Sequence, residues 1–294
     1  MNLIDGKSLA KTIKQEIAEE VKQLVSKGLR KPHLAAVLVG ADPASKVYVR
    51  NKTRSCEEIG FDSSQINKQE NTTEEELLDI VAALNENDAI DGFIVQLPLP
   101  KHINTDRIIM AIDPSKDVDG FHPENFGKMA QGMPSFLPAT PFGIVTILDR
   151  YKINVEGKNC VVLGRSNIVG TPISILLSRK ADPGNATVTL CHSRTKDLEA
   201  YTKKADLIVV ALGKPNFLKA NMIKEGAVVI DVGINRIEDA TAKRGYKLVG
   251  DADFDDIAEK CSYITPVPGG VGPMTVTSLL MNTLIAFKAK IKDL

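Results

Sequence analysis

The chain has 294 residues, 43% hydrophobic and 25% charged, enough for two domains that each bury a core. Lys plus Arg equals Asp plus Glu at 37 each, which excludes the global field that gathers nucleic acid or an anionic membrane. The opening Met-Asn-Leu-Ile-Asp-Gly-Lys lacks the apolar core of a signal peptide, no apolar run approaches the ~20 residues of a membrane span, and the expectation is a cytoplasmic protein.

Cys56, Cys160, Cys191 and Cys261 are scattered without Cys-x-x-Cys spacing, which suits reduced thiols packed as small hydrophobes and indicates neither a disulfide framework nor a metal site. Residues 8–26 carry Leu9, Ile13, Ile17, Val21 and Leu24 at helical intervals with charges between, which predicts an amphipathic helix. His33 to Val39 is a short apolar run. From Ser45 to Gly60 a helix is expected, with Ser45 as N-cap after the turn residues Asp42 and Pro43 and with Gly60 at its end. Tyr48, Lys52, Cys56 and Ile59 recur on its inward face. A lysine in such a stripe has two readings. Its stem can cover apolar surface while the head reaches water, or its amine can serve in proton transfer where it is sheltered from solvent.

A weaker strand near 62–67, a helix through Glu75 to Leu84 and the segment Asp91-Gly-Phe-Ile-Val-Gln-Leu-Pro-Leu-Pro100 follow, and this alternation implies a parallel sheet covered on both faces. Gln96 interrupts the last strand just before Pro98. In open α/β sheets ligands gather beyond the carboxyl ends of strands, so Gln96 either faces a ligand or bonds a neighbouring loop. Residues 113–138 show no sustained period and read as a long loop. Asp117 and Asp119 lack the further oxygen ligands of a calcium loop, so a single carboxylate aimed at an N–H pair of a ligand is the simpler expectation. His122 has no partner visible in the sequence and is taken as structural.

Thr140 to Tyr151 reads as a helix leading to a second domain. There a strand at 159–163, the turn Gly164-Arg-Ser-Asn-Ile-Val-Gly170 and a helix from Pro172 to Arg179 follow in the order of a dinucleotide fold. Ser166 replaces the usual middle glycine, and its hydroxyl can donate to a pyrophosphate. The next strand ends in His192-Ser193-Arg194-Thr195, a polar and cationic tip where NAD enzymes place an acid. Together with Arg165 this tip favours the 2′-phosphate of NADP, unless both arginines are simply solvated. Strands at 206–211 and 227–232 close on Gly213 and on Gly233 and Ile234, where a flat ligand can lie against backbone. Thr265-Pro-Val-Pro-Gly-Gly-Val-Gly-Pro-Met-Thr275 fixes an irregular path that offers backbone amides and leads into an apolar helix through Leu279, Leu280, Leu284 and Phe287.

Taken jointly, Tyr48-Val-Arg-Asn-Lys52, Asp91 to Pro100, Lys116-Asp-Val-Asp-Gly120, Gly164 to Gly170 and Thr265 to Thr275 resemble the bifunctional methylenetetrahydrofolate dehydrogenase/cyclohydrolases. The resemblance implies an α/β protein of two domains with a cleft between them: a catalytic domain of residues 1–139 plus 276–294 and a Rossmann-like NADP-binding domain of residues 140–275. It also implies tetrahydrofolate derivatives as substrate and a homodimer without nucleic-acid or membrane partners. By similarity Tyr48 stacks on the folate, Lys52 and Gln96 flank the reacting carbon, Asp119 grips the pterin edge, and Leu97, Pro98, Pro268, Gly269 and Gly270 complete the substrate site. Gly164, Arg165, Ser166, Ile168, His192, Ser193, Arg194, Gly213, Gly233, Ile234, Gly272 and Thr275 would hold NADP. Ala139 stands where the family commonly has cysteine and Thr171 where it often has a basic residue. Two rival readings are a shikimate-type dehydrogenase, for which no carboxylate clamp surrounds Lys52, and an NADP-binding sensor without turnover.

Overall fold

A computed structural model describes residues 1–242 and 245–292. In chain order the elements are β1 (Asn2–Leu3), α1 (Gly6–Ser26), β2 (His33–Val39), α2 (Pro43–Ile59), β3 (Asp62–Lys68), α3 (Glu74–Glu86), β4 (Gly92–Val95), α4 (Thr105–Ala111), α5 (Pro123–Ala130) and α6 (Ala139–Arg150). There follow β5 (Asn159–Leu163), α7 (Gly170–Ser178), β6 (Thr187–Cys191), α8 (Leu198–Thr202), β7 (Leu207–Val210), β8 (Ala227–Asp231), β9 (Asn235–Glu238), β10 (Tyr246–Val249), α9 (Phe254–Ile257), β11 (Cys261–Ile264) and α10 (Val271–Lys292). The chain divides into two compact units: residues 1–10 with 140–275, and residues 11–139 with 276–294.

In the unit of residues 11–139 and 276–294, three parallel strands run in the order β3-β2-β4. Strand β2 is the middle one and buried on both faces, which is why His33–Val39 reads as a continuous apolar run rather than an alternating one. Leu77, Val81 and Leu84 of α3 pack on Ala35, Val37, Phe93 and Val95. Helix α3 begins where Thr73 and Glu76 cap each other's backbone N–H groups, with three glutamates in its first turn. Beyond β4 the chain runs on as an irregular edge, with Phe93 bridged to Asp117 and the Phe93 N–H donating to the Lys116 carbonyl.

The other unit is built on six parallel strands in the order β1-β11-β8-β7-β5-β6. The chain leaves β5 for β6 on one side and then crosses to β7 on the other, so the connection reverses at β5 and opens a crevice at its carboxyl end. Strand β7, Leu-Ile-Val-Val, is buried throughout, as a central strand between helical layers must be.

Three sequence expectations change. Residues 1–10 do not group with the first domain, because β1 pairs in parallel with β11. The stretch 113–138 contains a helix, α5, whose N-cap is His122; its Nδ1 accepts from the Glu124 N–H, a structural role that periodicity over so short a helix does not reveal. The N-cap of α2 is Asp42, not Ser45: the Asp42 carboxylate accepts the Ser45 N–H at 2.7 Å. Gly60 ends α2 in a left-handed conformation as expected.

Candidate active site

The inward stripe of α2 descends from half-exposed Tyr48 through Lys52 to fully buried Cys56 and Ile59, with Lys52 itself 8% exposed. One turn of helix separates Tyr48 from Lys52, so both present to the same side. The Lys52 Nζ donates to the Gln96 Oε1 at 3.3 Å, and the Gln96 Nε2 donates to the Leu97 carbonyl at 2.7 Å. Gln96 is thereby fixed in one orientation with its oxygen toward the amine. Among the described residues no carboxylate lies in ion-pair contact with Lys52, so a sheltered amine meets a neutral acceptor. The other expectation for this lysine, a head reaching freely into water, does not fit that burial.

Asp119 stands on the strap that follows Lys116. Its half-buried carboxylate makes no hydrogen bond or ion pair among the described residues, and it lines a recess with Leu97, Leu99, Phe121 and Thr105. Asp117, two residues earlier, has a different task. It is 2% exposed and accepts from the Phe121 N–H at 3.2 Å, the His122 N–H at 2.8 Å and the Asn125 Nδ2 at 2.9 Å. Burial pushes its carboxyl up to about 6, against the pull of those donors. These bonds leave its oxygens to the strap rather than to a metal. From α10, the Asn282 side-chain amide donates to the carbonyls of Val118 and Leu137 and pins the same strap from the other side. Neither Asn125 nor Asn282 stood out in the sequence, since a lone amide in a helix carries no pattern.

In the six-stranded unit, the residues expected to hold a dinucleotide stand after the carboxyl ends of β5, β6, β7 and β8, except Gly272 and Thr275, which lie at the start of α10. Gly164 follows β5 with φ +116°, and a Cβ there would lie 2.2 Å from the Ala211 carbonyl oxygen, so no other residue fits without moving the β7 end. The Ser166 Oγ accepts from the N–H groups of Val169 at 3.2 Å and Gly170 at 3.4 Å, which leaves its own proton to donate outward. Thr171 donates to the Arg165 carbonyl at 3.2 Å. Arg165 and Ile168 are exposed on this turn.

At the end of β6, the His192 N–H donates to Thr195 Oγ1 and the Arg194 N–H to His192 Nδ1, a tight turn that leaves Ser193 and Arg194 exposed. Two guanidinium groups on adjacent exposed turns and an open backbone at Gly213 suit an anionic dinucleotide. Gly272 lies close to exposed Ile234, its added Cβ meeting Ile234 Cδ1 at 3.5 Å, whereas the Thr275 hydroxyl is engaged with that of Thr140 at 3.0 Å. Gly269 accepts from the Lys7 N–H at 2.9 Å and Gly270 packs against Gly6, which ties this segment to the start of α1.

Two buried acids behind these loops escaped the sequence reading. Asp231 ends β8 at 3% exposure and Asp251 precedes α9 at 0%. Burial pushes Asp231 up to about 6, with backbone donors from Ala252, Asp251 and Gly233 opposing it. Their only sequence signal is an aspartate within two residues of a single glycine.

Comparison with known proteins gives two matches that divide the chain in sequence. Residues 4–119 match the tetrahydrofolate dehydrogenase/cyclohydrolase catalytic domain, and residues 138–291 match the NAD(P)-binding domain of the same family. A bifunctional protein FolD from Flavobacterium johnsoniae is 60% identical over 290 residues, covering 99% of this chain and 98% of that one. Among solved structures, the bifunctional FolD methylenetetrahydrofolate dehydrogenase/cyclohydrolase of Campylobacter jejuni is 49% identical with a TM-score of 0.92 over 99% of both chains. The Trypanosoma brucei enzyme, complexed with NADP cofactor and inhibitor, is 38% identical with a TM-score of 0.93 over 98% of both chains. Among the described residues no helix is long and apolar enough to cross a membrane.

Proposed function

Because the chain belongs to the tetrahydrofolate dehydrogenase/cyclohydrolase family, we propose that it oxidises 5,10-methylenetetrahydrofolate with NADP and hydrolyses the resulting 5,10-methenyltetrahydrofolate to 10-formyltetrahydrofolate. The observation that carries the hydrolytic half is the buried Lys52 amine held by the neutral oxygen of Gln96. A lysine can take a proton from water only in its neutral form, and a fixed positive charge would oppose the methenyl cation beside it. A glutamine orients the amine without adding the negative charge that would lock the ammonium in place.

When bound, NADP supplies the hydride acceptor. The chain's own part in that step is to hold two flat rings in register: Tyr48 against the folate, the free carboxylate of Asp119 toward the N–H edge of the pterin, and the strand end Gln96-Leu97-Pro98 beside the reacting carbon. Pro268, Gly269 and Gly270 contribute shape through backbone. In hydrolysis, Lys52 Nζ takes one proton as a water oxygen bonds to the methenyl carbon; N5 takes a proton as its bond to that carbon breaks, and the hydroxyl left on the carbon loses its proton as it becomes the formyl carbonyl, so that one proton is released overall. On the cofactor side Gly164, Ser166, Ile168, Gly213, Gly233, Ile234, Gly272 and Thr275 line the dinucleotide path. Arg165, His192, Ser193 and Arg194 meet the 2′-phosphate.

In keeping with the family resemblance, the proposal includes a cytoplasmic homodimer without nucleic-acid or membrane partners; sedimentation at micromolar concentration checks the dimer. The deciding experiment gives the protein methylenetetrahydrofolate and NADP and follows NADPH formation, the methenyl absorbance and its decay together. NADPH without decay of the methenyl species beyond the spontaneous rate would leave a dehydrogenase alone, and binding of NADP without either signal would leave a sensor.

A further inference from the structure

Asp231 and Asp251 are buried, take no part in the proposed chemistry, and have no cationic partner among the described residues. An ionised carboxylate in so dry a place is tolerable only where donors meet its lone pairs. Asp251 has four: the backbone N–H groups of Leu212 at 2.5 Å, Gly213 at 2.8 Å and Lys214 at 2.8 Å, and the Asn235 side-chain amide at 2.8 Å. Asp231 accepts from the N–H groups of Gly233 at 2.9 Å, Asp251 at 3.0 Å and Ala252 at 2.8 Å. Asp231 therefore sets the position of Asp251. The two acids together draw the backbone that follows β7 and the backbone that follows β8 onto one point. The approach is close: a Cβ on Gly233 would lie 2.4 Å from the Asp251 carboxyl carbon, and one on Gly250 would lie 1.8 Å from Asp231 Oδ2.

In a planar trans peptide the N–H of one residue and the carbonyl of the residue before it point in opposite directions. With the N–H groups of residues 212, 213 and 214 turned onto Asp251, the carbonyls of Ala211, Leu212 and Gly213 face the other way. The Ala211 oxygen lies against Gly164. Those of Leu212 and Gly213 accept no hydrogen bond among the described residues, on a loop that is half-exposed to open. Three consecutive amides committed to one carboxylate thus leave two consecutive carbonyls for a ligand, beside the crevice at the end of β5.

We propose that Asp251 is a positioning residue for the nicotinamide half of the cofactor, turning this loop so that the Leu212 and Gly213 carbonyls accept from the O–H or N–H donors of the nicotinamide nucleoside. The inference rests on the cofactor reading above. Asp251→Asn is nearly isosteric but points an NH₂ group at N–H donors, so the loop must turn away from it.

The test measures dissociation constants by calorimetry for three probes: NADP, 2′,5′-ADP, and the 3-acetylpyridine analogue of NADP, which keeps the ribose hydroxyls but lacks the carboxamide N–H. In the wild type NADP should bind at least 10-fold tighter than 2′,5′-ADP. In Asp251→Asn that advantage should fall to about threefold or less, with 2′,5′-ADP itself within twofold of wild type. The analogue sorts the donors. If it binds like NADP to the wild type, the loop reads the ribose; if it is weakened in the wild type and not further in the variant, the loop reads the carboxamide.

An unchanged NADP advantage in Asp251→Asn overturns the proposal. Wild-type protein that binds neither NADP nor 2′,5′-ADP overturns the cofactor reading itself. Should Asp251→Asn not fold, Asn235→Ala removes one of the four donors and should cut the advantage by about threefold; no change there is equally fatal.

Discussion

The two units bind their proposed ligands by opposite means. In the unit of residues 11–139 and 276–294 the working groups are side chains: the Lys52 amine, the Gln96 amide, the Tyr48 ring and the Asp119 carboxylate, set on a helix, a strand end and a strap. In the six-stranded unit the proposed binding surface is largely backbone, and the side chains that shape its loops, Asp231 and Asp251, are buried and spend their oxygens on backbone N–H groups. Proton transfer requires a titratable group at a stated atom, whereas gripping a dinucleotide requires many modest hydrogen bonds along an extended path. Damage should therefore be concentrated in one unit and graded in the other.

The sharpest way to break that contrast is Lys52→Met. The substitution keeps the length and apolar stem and removes the amine, so hydrolysis of methenyltetrahydrofolate should fall about 10³-fold, within the range of a lost acid–base group, while the dissociation constant for NADP stays within twofold. Normal ring opening by this variant would take Lys52 out of the mechanism. A large loss of NADP binding would show that the two units do not divide the work as described.

A change at a tight point of the other unit should act first on stability. Gly164→Ala asks a Cβ to sit 2.2 Å from the Ala211 carbonyl at φ +116°, and should destabilise by about 2–4 kcal/mol, as strained and overpacked sites do. A melting temperature within 1 °C of wild type would mean that the end of β7 yields freely, and with it the loop that Asp251 holds.

Legibility from sequence followed the same division. The Lys52 stripe, the interruption of a strand by Gln96 and the glycine-rich turn after β5 were all readable, because each is a side-chain type out of place in a local period. The strand, turn and helix that open the dinucleotide fold were readable in order, but the strand order of the sheet was not, and neither was β1, since two residues carry no pattern and only pairing with β11 gives them a sheet. The antiparallel pair β9 and β10 was also missed: Asn235–Glu238 is half polar, and the seven residues of sequence between it and its partner carry no hairpin signature. The role of Asp251 is set by N–H donors 37 to 39 residues away, and that of Asn282 by carbonyls more than 140 residues away, so no window of sequence contains both ends of those bonds. Asp117 takes its donors from the eight residues that follow it and Asp231 one of its three from Gly233, but nothing in those residue types marks which aspartate the chain folds back upon.

Arg165→Ala sharpens the comparison on the cofactor side. An exposed guanidinium beside a phosphate supplies a charge-assisted bond worth about 1.5–3 kcal/mol, so NADP binding should weaken about 10- to 100-fold and NAD binding by less than threefold. Equal losses would show that Arg165 does not distinguish the 2′-phosphate. A smaller loss than expected with retained preference would shift that role to Arg194, the other cation at this tip.

The smallest effect compares the hidden acids of the two units directly. Asp117 and Asp231 are both pushed up to about 6 by burial, from an ordinary value of 3.8. A carboxyl whose folded value is raised contributes stability that is fully present below about pH 3.8 and lost as the pH climbs through 6, because folding favours its protonated form. A rise of that size corresponds to roughly 3 kcal/mol over the whole range, of which about 1 to 1.5 kcal/mol falls between about pH 5 and 7.5. Urea unfolding across that interval should therefore show each Asp→Asn variant losing ground to the wild type as the medium is acidified, by that amount for Asp117→Asn and for Asp231→Asn alike. The two carboxyls hold different loops by the same physics, three N–H donors against the cost of burying a charge. A pH-independent gap for one variant and not the other would show that its carboxylate is held ionised well below 6, by donors strong enough to outweigh its burial.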